Sequence, residues 1–169
     1  MKKINLTVLL LFIAFSSNAQ KGFRVEASIG PTLGDSSDFY SLTLQGNVYY
    51  YWNSSENINI GLTSGALVFL GDKEDGFECV GCSVDDYEPE LWIPLAVSGR
   101  ASLSKKISLG LDTGYAFLIH TFDEGSGFYL RPVINYSLKE KLGLVCSFIN
   151  ISDNGYNAAT VNLGINIGF

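Results

Sequence analysis

Residues 159–169 read ATVNLGINIGF. Ala159, Val161, Leu163, Ile165, Ile167 and Phe169 alternate without a break with Thr160, Asn162, Gly164, Asn166 and Gly168. In an extended chain successive side chains point to opposite faces, so this is a strand with one apolar face and one small, polar face. About ten residues at ~3.3 Å each, tilted, is the reach of one membrane-spanning β-strand.

Upstream, the same alternation recurs in segments 23–33, 40–52, 58–70, 91–102, 107–120, 128–138 and 142–148. The apolar face carries Val25, Ile29, Leu44, Val48, Leu62, Leu95, Leu111, Ile134 and Leu144, among others. The opposite face carries Arg24, Glu26, Gln45, Asn47, Tyr49, Ser98, Arg100, Asp112, Arg131 and Ser147. Tyr40 falls on the apolar side by count. Over 65–70 both faces are apolar, which fits either a bulge or a packed upper interior. None of these segments has helical spacing, and eight strands are expected.

Connections alternate in length. Residues 53–57, 104–106 and 139–141 are short, whereas 34–39, 71–90, 121–127 and 152–158 are mostly longer. Acidic residues concentrate in the longer group, where Lys73 is the only base. At the other end Lys21, Lys105, Lys106, Lys139 and Lys141 face only Glu56 and Glu140.

The chain has 169 residues, enough for one domain. Met1, Lys2 and Lys3 form a short basic region, an apolar run follows to Phe15, and Ser17-Asn18-Ala19 supplies small residues. This is the pattern of a signal peptide over 1–19, leaving a barrel domain at 20–169. The apolar run is too short for a spanning helix, and no later run reaches that length. With 11 basic and 17 acidic residues, nucleic-acid binding is not expected.

Alternation alone does not say which face meets water. A soluble, lipocalin-like barrel would put its second face in water and fill it with Lys, Glu and Thr. Here that face is mostly Gly, Ser, Thr and Asn, which suits the cramped interior of an eight-stranded barrel. Its few charges, Arg24, Glu26, Arg100, Asp112 and Arg131, are expected to neutralise one another inside. Aromatics gather near strand ends: Tyr50, Trp52, Tyr136 and Phe169 at the turn end, Tyr40, Phe117 and Phe128 at the loop end. Two such girdles mark membrane interfaces. The expected fold is therefore all-β, an antiparallel up-and-down transmembrane barrel.

Taken together, the leader, strand count, loop asymmetry and terminal Phe169 resemble the small eight-stranded outer-membrane β-barrels of Gram-negative bacteria, the OmpA-type and OmpX-type barrels. The resemblance implies residence in the cell outer membrane among lipid and lipopolysaccharide, and assembly by the barrel-assembly machinery through the C-terminal strand. It also implies termini in the periplasm, surface loops that can meet an extracellular partner at 71–90, no cofactor, and usually no catalysis. No peptidoglycan-binding domain is expected after Phe169.

The remaining chemistry is sparse. An open porin path is not expected in so narrow a barrel. His120, the only histidine, lies near Asp123, Glu124 and Ser126 and invites a lipid-hydrolase reading. No nucleophile motif surrounds the serine, so no catalytic residue is assigned. Cys79 and Cys82 stand in the longest acidic segment of an exported chain, where a local disulfide is expected rather than zinc. The spacing of the surrounding acids does not match a calcium-binding EF-hand loop. Cys146 falls on the lipid face.

Overall fold

A computed structural model describes residues 22–53, 57–71, 88–119, 124–153 and 156–169. Eight strands, β1 (Phe23–Gly34), β2 (Tyr40–Asn53), β3 (Ile58–Gly71), β4 (Glu90–Ser102), β5 (Ile107–Ile119), β6 (Glu124–Lys139), β7 (Leu142–Asp153) and β8 (Tyr156–Gly168), pair in sequence order. The last pairs with the first, and the sheet closes into a barrel. Every neighbouring pair is antiparallel. The regions of the signal peptide, Cys79, Cys82 and His120 lie outside the described residues.

The closing strand shows why the sequence adopts this form. Val161, Leu163, Ile165 and Ile167 are exposed on the outer wall, while Thr160 and Asn162 are fully buried. The same division holds around the ring, with Leu44, Leu62, Leu95, Leu111 and Ile134 outside and Thr43, Ser98, Asp112 and Arg131 inside. A soluble protein would place these residues the other way round. Lipid replaces water as the solvent of the outer wall, and the ring leaves no unpaired sheet edge to meet it.

Where the two faces blur, the ladder answers the open question. The β3–β4 pairing keeps one register from Ser64↔Leu95 to Leu67↔Trp92, so there is no bulge. Leu67 and Phe69 simply point inward, where they pack with Tyr40, Trp92, Ala116, Tyr129, Ile149 and Ile151 in an apolar core at the loop end.

Two expectations need correction. Tyr40 is buried rather than part of the outer girdle, because a register shift between Tyr40 and Leu42 turns it inward, onto the Phe69 ring at 5.8 Å. The connections expected at 121–127 and 152–158 are shorter, since β6 already starts at Glu124 and Asp153 pairs with Tyr156. The described residues of these segments belong to strand ends. The segment 34–39 folds as a 3-10 helix at Asp35–Asp38, tied to β8 where the Asn157 amide donates to the Asp35 carboxylate at 3.2 Å.

Proline shapes the ladders as well. Pairing lapses beside Pro31 in β1–β8, Pro94 in β3–β4 and Pro132 in β6–β7, as the missing N–H requires. At the closing seam side chains take over: the Thr160 hydroxyl donates to the Pro31 carbonyl at 2.8 Å, and Thr43 lies 3.0 Å from the Gly30 carbonyl.

The outer wall is testable by depth. Leu163→Arg, near mid-strand, should destabilise the barrel in liposomes by about 2–4 kcal/mol, whereas Leu138→Arg at the turn-end rim should cost about 0–1 kcal/mol. Denaturant titration of both variants checks this, and equal costs would contradict the placement.

Candidate functional site

The inward face of the barrel gathers four of its charges, Glu26, Arg100, Asp112 and Arg131, in one cluster. Asp112 on β5 is flanked by Arg100 on β4 and Arg131 on β6, because the short connection after Ser102 pairs Arg100 with Gly110, and Asp112 pairs with Arg131 across the next ladder. Arg100 holds the carboxylate with two parallel bonds, Nη1 to Oδ1 at 2.6 Å and Nη2 to Oδ2 at 3.1 Å. Arg131 Nη1 reaches the same Oδ2 at 3.1 Å.

Arg131 is the hub. Its side chain is fully buried and crosses the lumen to Glu26 on β1, to which Nη2 donates. It also donates to the Ser147 hydroxyl at 3.0 Å and to the Tyr49 hydroxyl at 2.5 Å. Two guanidiniums thus meet two carboxylates in a space shielded from water. An unpaired ion there would be costly, whereas a balanced, hydrogen-bonded set is tolerated. Tyr49 and Tyr51 stack at 5.6 Å and carry Arg100 over both rings, at 5.3 and 5.9 Å from their centroids.

Gly110 makes room for this arrangement. A Cβ at that position would overlap the Cδ and Nε of Arg100, so only glycine lets the arginine lie flat across β5 to reach Asp112.

The structure places the five charged residues expected in the lumen at two levels. Glu26, Arg100, Asp112 and Arg131 form the cluster just described. Arg24, on the same face of β1, sits at the turn-end mouth, with its guanidinium 5.8 Å from the Tyr51 ring centroid and no ion pair among the described residues. Tyr50, Trp52, Tyr136, Phe117, Phe128 and Phe169 are exposed on the outer wall, as is Cys146.

Several members of the interior network carried no sequence signal. Gln45 donates to the Tyr129 hydroxyl at 3.0 Å. The hydroxyls of Thr43 and Thr160 and the Asn162 Oδ1 lie within 2.9 Å of one another. Asn166 donates to Asn135 at 2.5 Å. Apart from the Thr160–Asn162 contact within β8, each joins strands that are not neighbours in sequence. Phase could place these residues inside the barrel, but not opposite one another.

Chemically the cluster is closed. Both carboxylates are engaged by arginine. Above it lies the apolar core around Leu67 and Phe69. Below it, cavities of about 90 and about 20 Å³ open at the turn end.

Asp112→Ala should destabilise the barrel by about 3–5 kcal/mol, since it leaves two arginines facing Glu26 alone. Adding Arg100→Met restores one positive against one negative charge and should recover part of that loss. Denaturant titration of the single and double variants checks this, and strictly additive costs would contradict the coupling. Gly110→Ala should cost about 1–3 kcal/mol by overpacking, and less in the Arg100→Met background.

No protein-family model and no curated protein matches the chain. Solved structures do. The outer-membrane protein Ail of Yersinia pestis in a phospholipid bilayer nanodisc aligns with a TM-score of 0.58 at 12% identity, over 88% of this chain and 100% of that one. The N-terminal β-barrel domain of Pseudomonas aeruginosa OprF aligns with a TM-score of 0.55 at 12% identity, over 89% and 98%. A de novo designed transmembrane β-barrel gives 0.51 at 11% identity, over 86% and 93%. At such identities the likeness is one of fold. With the apolar outer wall and the polar interior, it makes this chain an eight-stranded transmembrane β-barrel with the fold of the small outer-membrane barrels.

Proposed function

We propose that the protein is a non-catalytic outer-membrane scaffold. Its barrel anchors and orients the loop-end segments, above all the acidic stretch 71–90, toward the cell exterior. The observation supporting this reading is the filled lumen. The charge cluster and the apolar core of Leu67, Phe69, Trp92 and Ile149 occupy successive levels of the interior. A barrel packed in this way serves display and anchoring better than passage.

On this reading the outer wall contacts membrane lipid and lipopolysaccharide, and β8 is the strand presented to the barrel-assembly machinery. The extracellular partner would be cationic. One solved Ail structure is a complex with the heparin analogue sucrose octasulfate. Residues 71–90 here contain Asp72, Glu74, Asp75, Glu78, Asp85, Asp86, Glu88 and Glu90 against Lys73, a composition that repels a polyanion. A Cys79–Cys82 disulfide would restrict the shape shown to that partner.

Protease added to intact cells should cut within 71–90 and spare 104–106, and the reverse pattern would overturn the orientation. Thiol counting on denatured, unreduced protein should find Cys146 alone free, against three free thiols if the disulfide is absent. Purified wild type and His120→Ala should both leave labelled lipopolysaccharide intact. Hydrolysis by wild type that is lost in the variant would replace the scaffold by an enzyme.

A further inference from the structure

We propose that the turn-end mouth of the barrel binds a small oxyanion of the phosphate or sulfate class. The mouth holds a cavity of about 90 Å³ lined by Arg24, Arg100, Lys105 and Lys106, with polar side chains such as Ser108 and Asn135 and, among the described residues, no carboxylate. Asp112, which Arg100 holds, is already committed to two arginines, and Glu26 to Arg131. Arg24, Lys105 and Lys106 have no ion pair among the described residues. Three uncompensated cations around a concavity repel one another, and the low-dielectric wall focuses their field into the space between them. An anion seated there relieves that repulsion.

The donors are also held in place, which distinguishes this mouth from a solvated lysine surface. Arg24 belongs to the inward face of β1 and lies over the Tyr51 ring. Arg100 spends three bonds on Asp112 and the Gly99 carbonyl, and a guanidinium has five N–H donors. Two therefore remain for a ligand. The turn bearing Lys105 and Lys106 is pinned from both sides. The Ser104 hydroxyl accepts the amides of Lys106 and Ile107 at 3.2 and 3.1 Å, and the Ser137 amide donates to the Lys106 carbonyl at 2.7 Å.

Size and geometry narrow the ligand class. A cavity of about 90 Å³ has room for a small anionic group. Donors converge from β1, β4, β5, β6 and the turn, so they surround a ligand on several sides. Guanidinium forks with ammonium and hydroxyl donors suit a tetrahedral oxyanion with several acceptor oxygens. Free phosphate and the phosphate of a lipid headgroup share that chemistry.

The test is an amide-resonance titration of the full-length protein at low ionic strength, with orthophosphate added to maltoside micelles. Expected are saturable shifts at Arg24 and across residues 104–108, absent with chloride at equal ionic strength. Arg24→Ala should weaken the apparent affinity about tenfold, as should Lys105→Ala with Lys106→Ala on the exposed turn. Lys139→Ala, on another turn, should leave it unchanged. Heat-dependent gel mobility confirms that each variant is folded. If the same shifts are already present in phospholipid nanodiscs without added phosphate, the headgroup is the source. If nanodiscs respond as micelles do, free phosphate is the source. No saturable shift in micelles, an equal response to chloride, or equal weakening by Lys139→Ala would overturn the proposal.

Discussion

In the hydrocarbon of a bilayer no water satisfies a stray N–H or C=O, so every backbone group of a spanning strand needs a partner within the protein. Pairing of β1 with β8 meets that requirement for the whole sheet, and the rest of the structure follows from it. Closing eight strands leaves an interior just wide enough to be filled by side chains. The inward residues therefore meet across the lumen and must be compatible in size, charge and hydrogen bonding. The outward residues face only lipid and need only be apolar. This is why the outer face reads as a uniform hydrophobic set, while the inner face is individual at every position.

The interior solves its packing problem in layers. The loop end is closed by large apolar groups, and the middle level by a charge cluster of zero net charge. At the turn end Arg24, without an ion pair among the described residues, lines a cavity with Lys105 and Lys106. Apolar packing and ion pairing are alternative ways to fill a space that excludes water, and each works only if complete. The middle level is complete around Asp112 but less so around Arg131, whose Nε has no partner. The glycine opposite Arg100 and the stacked tyrosines beneath it belong to the cluster as much as its charges do.

Much of this was legible in the sequence, because the period of two is a property of the strand itself. The eight strands, their inward and outward faces, and the neighbouring positions of Arg100 and Asp112 all follow from phase and one short turn. Contacts across the lumen do not. Arg131 meets Glu26 because β6 and β1 face each other across a closed ring, and nothing local to either residue records that. The strand ends were also obscure. Asp153 and Glu124 look like loop residues, since polar side chains above the membrane belong equally to loops and to protruding strands. Tyr40 was misplaced because a register shift is invisible to counting. At 65–70 the alternation vanished because the interior there is itself apolar.

The odd-numbered face of β8 touches lipid and the even-numbered face fills the barrel. Nitroxide labels placed singly at 161–167, in a background lacking Cys79, Cys82 and Cys146 and reconstituted in liposomes, test it most directly. Collision rates with oxygen should be high at 161, 163, 165 and 167, and low at 162, 164 and 166. A water-soluble nickel chelate should reach neither set at mid-membrane depth. Nickel access along the odd positions, with the even ones shielded, would mean that the apolar face meets water and that the chain does not span a membrane.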